Sequence, residues 1–385
     1  MSNAPSKSRS SAAGVSEGPG FQKEFRAVDC DVHPMLPDGT RSLLPYIAEN
    51  WRERLASRDM SRAKSAGSLY TTPNPTNRVD ATPPSGGPPA SDPAFVVKDL
   101  LDRFNLAGTI LLPYQAGGLS GWADGREAAV WAEAFNRYFI DTWLPVDGRY
   151  RLAVIVAPHD PGKAVAEIRR CASIPGVGAV WLPMRNILLG NSYHDPIYAA
   201  ATEAGLPIVL HTGGATFSAP RAVGVASTFA ENYGSLAAGG LAINNLSSLI
   251  FEGTFESFPT LKVVFIELGW TWVGPAMWRM DRSWKSLRVQ VPWVKRPPSD
   301  YVIEHCRFTT EPVDEPQPSE QLLQVAMMAH GERTLLFSTD YPHWDGDVPS
   351  LVFGGFPADL RRRIFYENAV DTFGDRIPAP TAVGA

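Results

Sequence analysis

The sequence predicts an α/β chain folded as one (β/α)8 TIM barrel over residues 25–378, with an N-terminal tail (1–24) and a Pro/Gly-rich insertion (58–92). Three observations predict it. Eight apolar runs start near residues 25, 107, 151, 177, 206, 261, 306 and 334, and helical material separates each from the next. The runs are nearly continuous in apolar residues, as strands buried on both faces of a parallel sheet are. No Gly-x-Gly-x-x-Gly or phosphate-binding loop follows the first run, which argues against an open nucleotide-binding sheet and for closure into a barrel.

In chain order, residues 25–32 read as a strand, stopped by Pro34. Residues 43–55 carry apolar side chains at helical spacing. The insertion holds Thr71-Thr72-Pro73-Asn74-Pro75 and Pro83-Pro84-Ser85-Gly86-Gly87-Pro88-Pro89, which sustain no regular element. A loop of that length in a compact protein is expected to be a functional lid or a disordered insert. Helices are then predicted over 95–104, 128–143, 163–170, 195–204, 236–252, 273–284 and 320–329, alternating with strands over 107–112, 151–158, 177–183, 206–212, 261–268, 306–311 and 334–340. Gly205 stops the fourth of those helices, as a residue free to adopt a left-handed conformation does.

Composition limits the partners. The formal net charge is −5 and no long Lys/Arg block occurs, so neither nucleic acid nor an anionic membrane surface is expected. The three cysteines, Cys30, Cys171 and Cys306, lie far apart and form no zinc-finger or disulfide pattern, which fits a reducing cytoplasm. No apolar run approaches the roughly 20 residues of a membrane span, and residues 1–20 lack the apolar centre of a signal peptide.

In a barrel of this kind the chemistry sits at the C-terminal ends of the strands. Asp31 and His33 close the first strand two residues apart, so both side chains leave on one face. His211 ends the fifth strand, Glu267 the sixth and Asp340 the eighth, with His343 three residues on. This convergence predicts a divalent metal site built by Asp31, His33, His211 and Asp340. Glu267 and His343 are candidates for acid–base work, against a simple ion pair of Glu267 with Arg279 or Arg282 and a loop-ordering role for His343. Arg185, past the fourth strand, and Glu311, at the end of the seventh, are candidate substrate contacts; the competing expectation for Arg185 is a surface salt bridge. His159, His194, His305 and His330 read as loop, structural or exposed residues. Trp270, Trp272, Trp278 and Trp284 read as core or subunit interface rather than a substrate cage.

These motifs carry a resemblance. Asp29-Cys30-Asp31-Val32-His33-Pro34, Leu210-His211-Thr212-Gly213-Gly214, Val264-Phe265-Ile266-Glu267-Leu268-Gly269, Ser338-Thr339-Asp340-Tyr341-Pro342-His343 and the closing Tyr366-Glu367-Asn368-Ala369 resemble the amidohydrolase superfamily. The resemblance runs from Ala27 to Gly374 and is to the amidohydrolase-2 branch, which includes aminocarboxymuconate-semialdehyde decarboxylase and related aromatic-acid decarboxylases. It implies that the branch's His-x-His corresponds to Asp31 and His33, its fifth-strand histidine to His211, and its ligating, proton-accepting aspartate to Asp340. The chain departs from that pattern twice: the first imidazole is a carboxylate, and Glu267 stands where the decarboxylases carry a histidine. The resulting donor set suits Zn first, with Mn or Fe, singly or as a pair of ions, as the alternative.

The leading expectation is therefore a metal-dependent hydrolase acting on a small carboxylate- or amide-bearing molecule through metal-activated water, with Asp340 taking the proton. The alternatives are a non-oxidative decarboxylase, a dinuclear Fe/Mn oxygenase component resembling 2-aminoisobutyrate hydroxylase, and the metal-binding partner subunit of such an enzyme. A homo-oligomer, or a hetero-oligomer with a related subunit, is expected.

Overall fold

A computed structural model of the protein describes residues 26–56, 77–211, 240–314, 316 and 320–378. Eight strands form one parallel sheet in sequence order: β1 (Val28–Val32), β2 (Gly108–Leu111), β3 (Tyr150–Ile155), β4 (Val177–Trp181), β5 (Ile208–His211), β6 (Val263–Ile266), β7 (Cys306–Thr309) and β8 (Leu335–Leu336). All seven neighbouring pairs are parallel. The sheet closes on itself where Cys30 N–H donates to Phe337 O (2.9 Å), His33 N–H donates to Tyr341 O (2.8 Å), and Val32 bridges Tyr341. The predicted (β/α)8 TIM barrel is what forms.

Every strand is buried along almost its whole length, which is why the sequence shows continuous Val/Ile/Leu runs and not alternation. The surrounding helices begin where the sequence offers caps. Asp124 accepts the Arg126 N–H at the head of Gly125–Thr142, and Asp160 accepts the Lys163 N–H at the head of Pro161–Cys171, with proline in the first turn. Trp131, Phe135 and Phe139 lie fully buried on the inner face of the first of these, filling the space between helix and sheet.

Four expectations need correction. The single helix over 43–55 is a 3-10 segment (Gly39–Tyr46) followed by a separate α-helix (Glu49–Ala56); Pro45 supplies no amide hydrogen to continue an α-helix through that point. The helix over 95–104 starts two residues earlier on the Asp92 cap and widens into a π-helical segment, Val97–Asp102. Strands β6 and β8 stop short of 268 and 340: Glu267, directly after β6, turns left-handed at φ 51°, whereas past Leu336 the Ser338 N–H goes to Thr310 Oγ1 (3.2 Å) and leaves the ladder before Asp340 turns left-handed at φ 56°. In the insertion, residues 58–76 lie outside the described residues, whereas 77–92 form a short 3-10 turn (Val79–Ala81) and pack on the mouth of the barrel. Arg78 N–H donates to Pro342 O (2.8 Å), Met35 N–H donates to Ala90 O (3.0 Å), and Ala81 and Ala90 are fully buried. That part is fixed to the loops after β1 and β8. The predicted tail, and the start of the helix predicted at 236, also lie outside the described residues.

Candidate metal centre

β1 builds the floor of the site. Asp29, Asp31 and His33 are alternate residues, so their side chains share the inward face, and all three are buried. His33 Nδ1 lies 3.0 Å from the carbonyl oxygen of Leu112. A carbonyl only accepts, so Nδ1 carries the hydrogen and Nε2 presents a lone pair to the barrel axis. Around that lone pair stand Asp31 Oδ1 at 3.1 Å, Asp340 Oδ1 at 2.9 Å and His211 Nε2 at 3.1 Å. His211 Nε2 in turn lies 3.1 Å from Glu267 Oε2 and 3.8 Å from Asp31 Oδ2. One donor atom from each of these five residues falls within 4.8 Å of all the others.

The left-handed turns at Glu267 and Asp340 aim two carboxylates inward. Such a conformation costs a non-glycine residue about 1 kcal/mol or more, and local hydrogen bonds hold it. Glu267 N–H donates to Thr309 Oγ1 (3.0 Å), and Asp340 O accepts the His343 N–H (2.8 Å). His343 Nδ1 also donates to Asp340 Oδ2 at 2.6 Å, so the imidazole and the carboxylate form a dyad.

The charges are concentrated and dry. Burial raises the Glu267 carboxyl well above its usual range, and the charges of Asp340 and Asp31 add to it. Glu311, buried at the end of β7, is raised in the same way by burial and by Asp340 and Glu267. Burial also works against a charged Asp340, yet His343 and His33 outweigh it and hold that group below the usual carboxylate range. Burial disfavours the charged form of His33, but Asp31 and Asp340 overcome it and raise its affinity for a proton.

The donor set fits a divalent cation. Both oxygens of Asp31 and Oδ1 of Asp340 are buried without a hydrogen-bond donor among the described residues. Two ring nitrogens and several carboxylate oxygens converge on one point with too few hydrogens to share. Buried carboxylates in that state are costly, and a cation at their centre relieves every one of these contacts together. Two imidazoles and three carboxylates suit Zn, Mn or Fe.

Of the residues singled out from sequence, Asp31, His33, His211, Glu267 and Asp340 come together, with His343 on the rim; the ring centroids of His343 and His33 are 5.0 Å apart. Glu267 pairs with His211, not with Arg279 or Arg282. Glu311 lies outside the five-residue cluster but feels its charges, and its Oε2 is buried without a donor among the described residues. Arg185 is half-buried and makes no ion pair among the described residues, contrary to the surface salt bridge weighed above; its charge, after burial, lowers the His159 imidazole. His194 and His305 are buried and His330 is an exposed helix cap. Trp270 is core, its Nε1–H donating to Thr310 O (3.0 Å), and Trp278 is exposed.

Sequence reasoning missed three neighbours. Asp29 is fully buried one alternation before Asp31, and burial pushes its carboxyl up to about 7. Tyr114, just past β2, sets its ring 6.3 Å from His33 and 5.6 Å from His343. Trp181, the last residue of β4, sets its ring 5.8 Å from His211. The signal for all three was position, since each stands at a strand end or two residues inside the ligand pair.

Comparison with known proteins agrees with this architecture. The amidohydrolase-2 family model matches residues 28–374. An amidohydrolase from Mycobacterium avium subsp. paratuberculosis K-10 superposes with a TM-score of 0.66 at 19% identity, over 91% of this chain and 99% of its own. The 5-carboxyvanillate decarboxylase of Novosphingobium aromaticivorans DSM 12444, in a structure with bound manganese, gives 0.64 at 17%, over 93% and 99%. The 2,6-dihydroxybenzoate decarboxylase from Rhizobium gives 0.61 at 18%, over 90% and 98%. At these identities the superpositions speak for the fold, and the family match over most of the chain speaks for kinship. The chain belongs to the amidohydrolase family, in its amidohydrolase-2 branch, and is a metal-dependent enzyme of the hydrolase or carboxy-lyase kind.

Proposed function

We propose that the protein is a non-oxidative decarboxylase of a small aromatic acid. The observation that carries the proposal is the engagement of Asp340. Its Oδ2 is taken by His343 and its Oδ1 faces His33 Nε2, so it is poorly placed to act as the free base that water activation needs. The dyad suits proton donation instead. Asp340 fixes His343 through Nδ1, leaving Nε2 to hold and pass the proton that replaces a departing carboxyl group. The rings of Tyr114 and Trp181 flank the cluster and suit a flat, aromatic substrate. Two of the structural neighbours, both decarboxylases of substituted benzoates by name, point the same way.

Asp31, His33, His211 and Asp340 would hold the metal, which supplies Lewis-acid charge for a substrate carboxylate. Mn is favoured over Zn by the carboxylate-rich donor set and by the manganese in the neighbouring decarboxylase structure. Glu267, beside His211, orients that imidazole or the incoming substrate, and Glu311 faces the same charged interior.

Hydrolysis is the second reading. Glu267 favours it, because a carboxylate 3.1 Å from His211 Nε2 is a base that Asp340 need not be. The separating experiment loads the purified protein with Mn(II), Zn(II) or Fe(II) and offers hydroxybenzoates, and separately aryl amides and esters, first without oxygen and then with it. Release of carbon dioxide from a hydroxybenzoate is expected. Turnover of an amide or ester alone would establish hydrolysis instead, and turnover only with oxygen and bound iron would establish the oxygenase alternative.

A further inference from the structure

The seam between β8 and β1 is the least regular join in the barrel, and it runs directly beside the candidate metal ligands. β8 pairs over only two residues, and backbone hydrogen bonds then link the seam at Phe337 and again at Tyr341. Between those points lie Ser338, Thr339 and Asp340. There the join is made by a side chain. Asp29 Oδ1 accepts the Thr339 N–H at 3.0 Å and the Asp31 N–H at 3.2 Å, while Asp29 Oδ2 accepts the Thr339 hydroxyl at 2.6 Å. The same hydroxyl oxygen accepts the Tyr341 N–H at 3.1 Å.

We propose that Asp29 and Thr339 form a latch that holds Asp340 in its left-handed conformation and so sets the carboxylate that faces His33. Asp340 sits between the two residues the latch grips, with Thr339 bonded on one side and Tyr341 on the other. The grip is needed because an aspartate at φ 56° is not at rest there. Asp29 also fixes the neighbouring ligand, Asp31, through its backbone N–H. Both Asp29 oxygens are filled by donors, and the residue lies outside the five-ligand cluster, so it acts through Asp340 and Asp31 and is a positioning residue. Supporting partners of metal ligands typically govern 10- to 100-fold in metal affinity.

The inference rests on reading the cluster as a cation site, not on which reaction that site performs. The test is Mn(II) affinity by chelator competition, with unfolding of the metal-free protein measured alongside. Thr339→Val keeps the side-chain shape and removes the hydroxyl; it is expected to weaken Mn(II) binding about 10- to 100-fold. Asp29→Ala is expected to weaken it at least as much, and the two effects should not add when combined, since each breaks the same latch. Thr339→Ser, which keeps both donors, should restore the affinity. A loss of thermal stability in Thr339→Val with Mn(II) affinity unchanged would reduce the latch to a barrel closure and overturn the proposal; this holds even if Asp29→Ala does not fold. Wild-type protein that takes up no Mn(II), Zn(II) or Fe(II) would overturn the cation reading itself, a separate failure.

Discussion

At the scale of single residues, the proposed reaction divides the site into groups that hold charge and one group, His343, that moves a proton. His343 is bonded to Asp340 but lies outside the five-residue cluster, so its removal should leave the metal in place. His343→Asn is expected to lower kcat by about 100- to 10,000-fold, with metal content unchanged and KM little moved. Loss of bound metal in that variant would make His343 a ligand instead. A histidine remote from the cluster reports on stability. Burial lowers His194 to about 4, below the ordinary histidine value of 6.5. The folded state therefore disfavours the imidazolium; the stabilisation belongs to the neutral form, is full above pH 6.5, and is lost as pH falls toward 4. At about 1.4 kcal/mol per unit, the loss is on the order of 3 kcal/mol. Chemical denaturation across pH 4–7 should show a shallower acid decline for His194→Gln than for wild type, and equal slopes would refute it.

At the scale of elements, the strand ends matter more than the strands. Side-chain hydroxyls take over where ladders stop: Ser338 Oγ accepts the Glu311 N–H at 3.0 Å, and Thr310 Oγ1 accepts the Ser338 N–H at 3.2 Å. These bonds let the chain leave the ladder after β7 and β8 without stranding the Glu311 and Ser338 amides, as Thr309 Oγ1 does for Glu267 after β6. The loop after β8 is also packed to its limit. A Cβ at Gly346 would meet Thr339 O at 2.3 Å, a backbone contact that cannot yield by a rotamer change. Gly346→Ala is expected to cost roughly 1–3 kcal/mol as overpacking and to weaken Mn(II) binding as well, because the displaced residue adjoins Asp340. Unfolding midpoints and metal titration of that variant check both effects, and wild-type values in both would show that the loop yields freely.

At the scale of the molecule, the barrel brings four carboxylates, the buried Asp31, Glu311 and Asp340 and the part-buried Glu267, to one end of the fold. Only a closed sheet could do this, because those residues come from β1 and from the ends of β6, β7 and β8. Their mutual repulsion makes the metal part of the fold's stability. Mn(II) at a hundred times its dissociation constant should stabilise the protein by about 2.7 kcal/mol, and chelation should lower the unfolding midpoint. A midpoint indifferent to Mn(II) and to chelator would contradict a cation at this centre.

The barrel, and the residues that gather at the candidate cation site, were legible along the chain. Buried parallel strands need unbroken apolar runs, and these were countable; a carboxylate or imidazole closing such a run stands out against it, as His211, Glu267 and Asp340 did. Pro45 was equally visible, and its effect on the segment 43–55 was a local one that helical spacing concealed. Tertiary structure decided the rest. The early end of β6 follows from the left-handed turn at Glu267, and that of β8 from side-chain hydroxyls that take over the ladder past Leu336. Asp29 looked like one more strand residue until Thr339, 310 positions away in the chain, was laid against it. The pairing of Glu267 with His211 in place of an arginine, and the closing of Asp340 upon His343, are likewise set by which strand ends meet across the barrel, a distance relation that spacing along the chain does not encode.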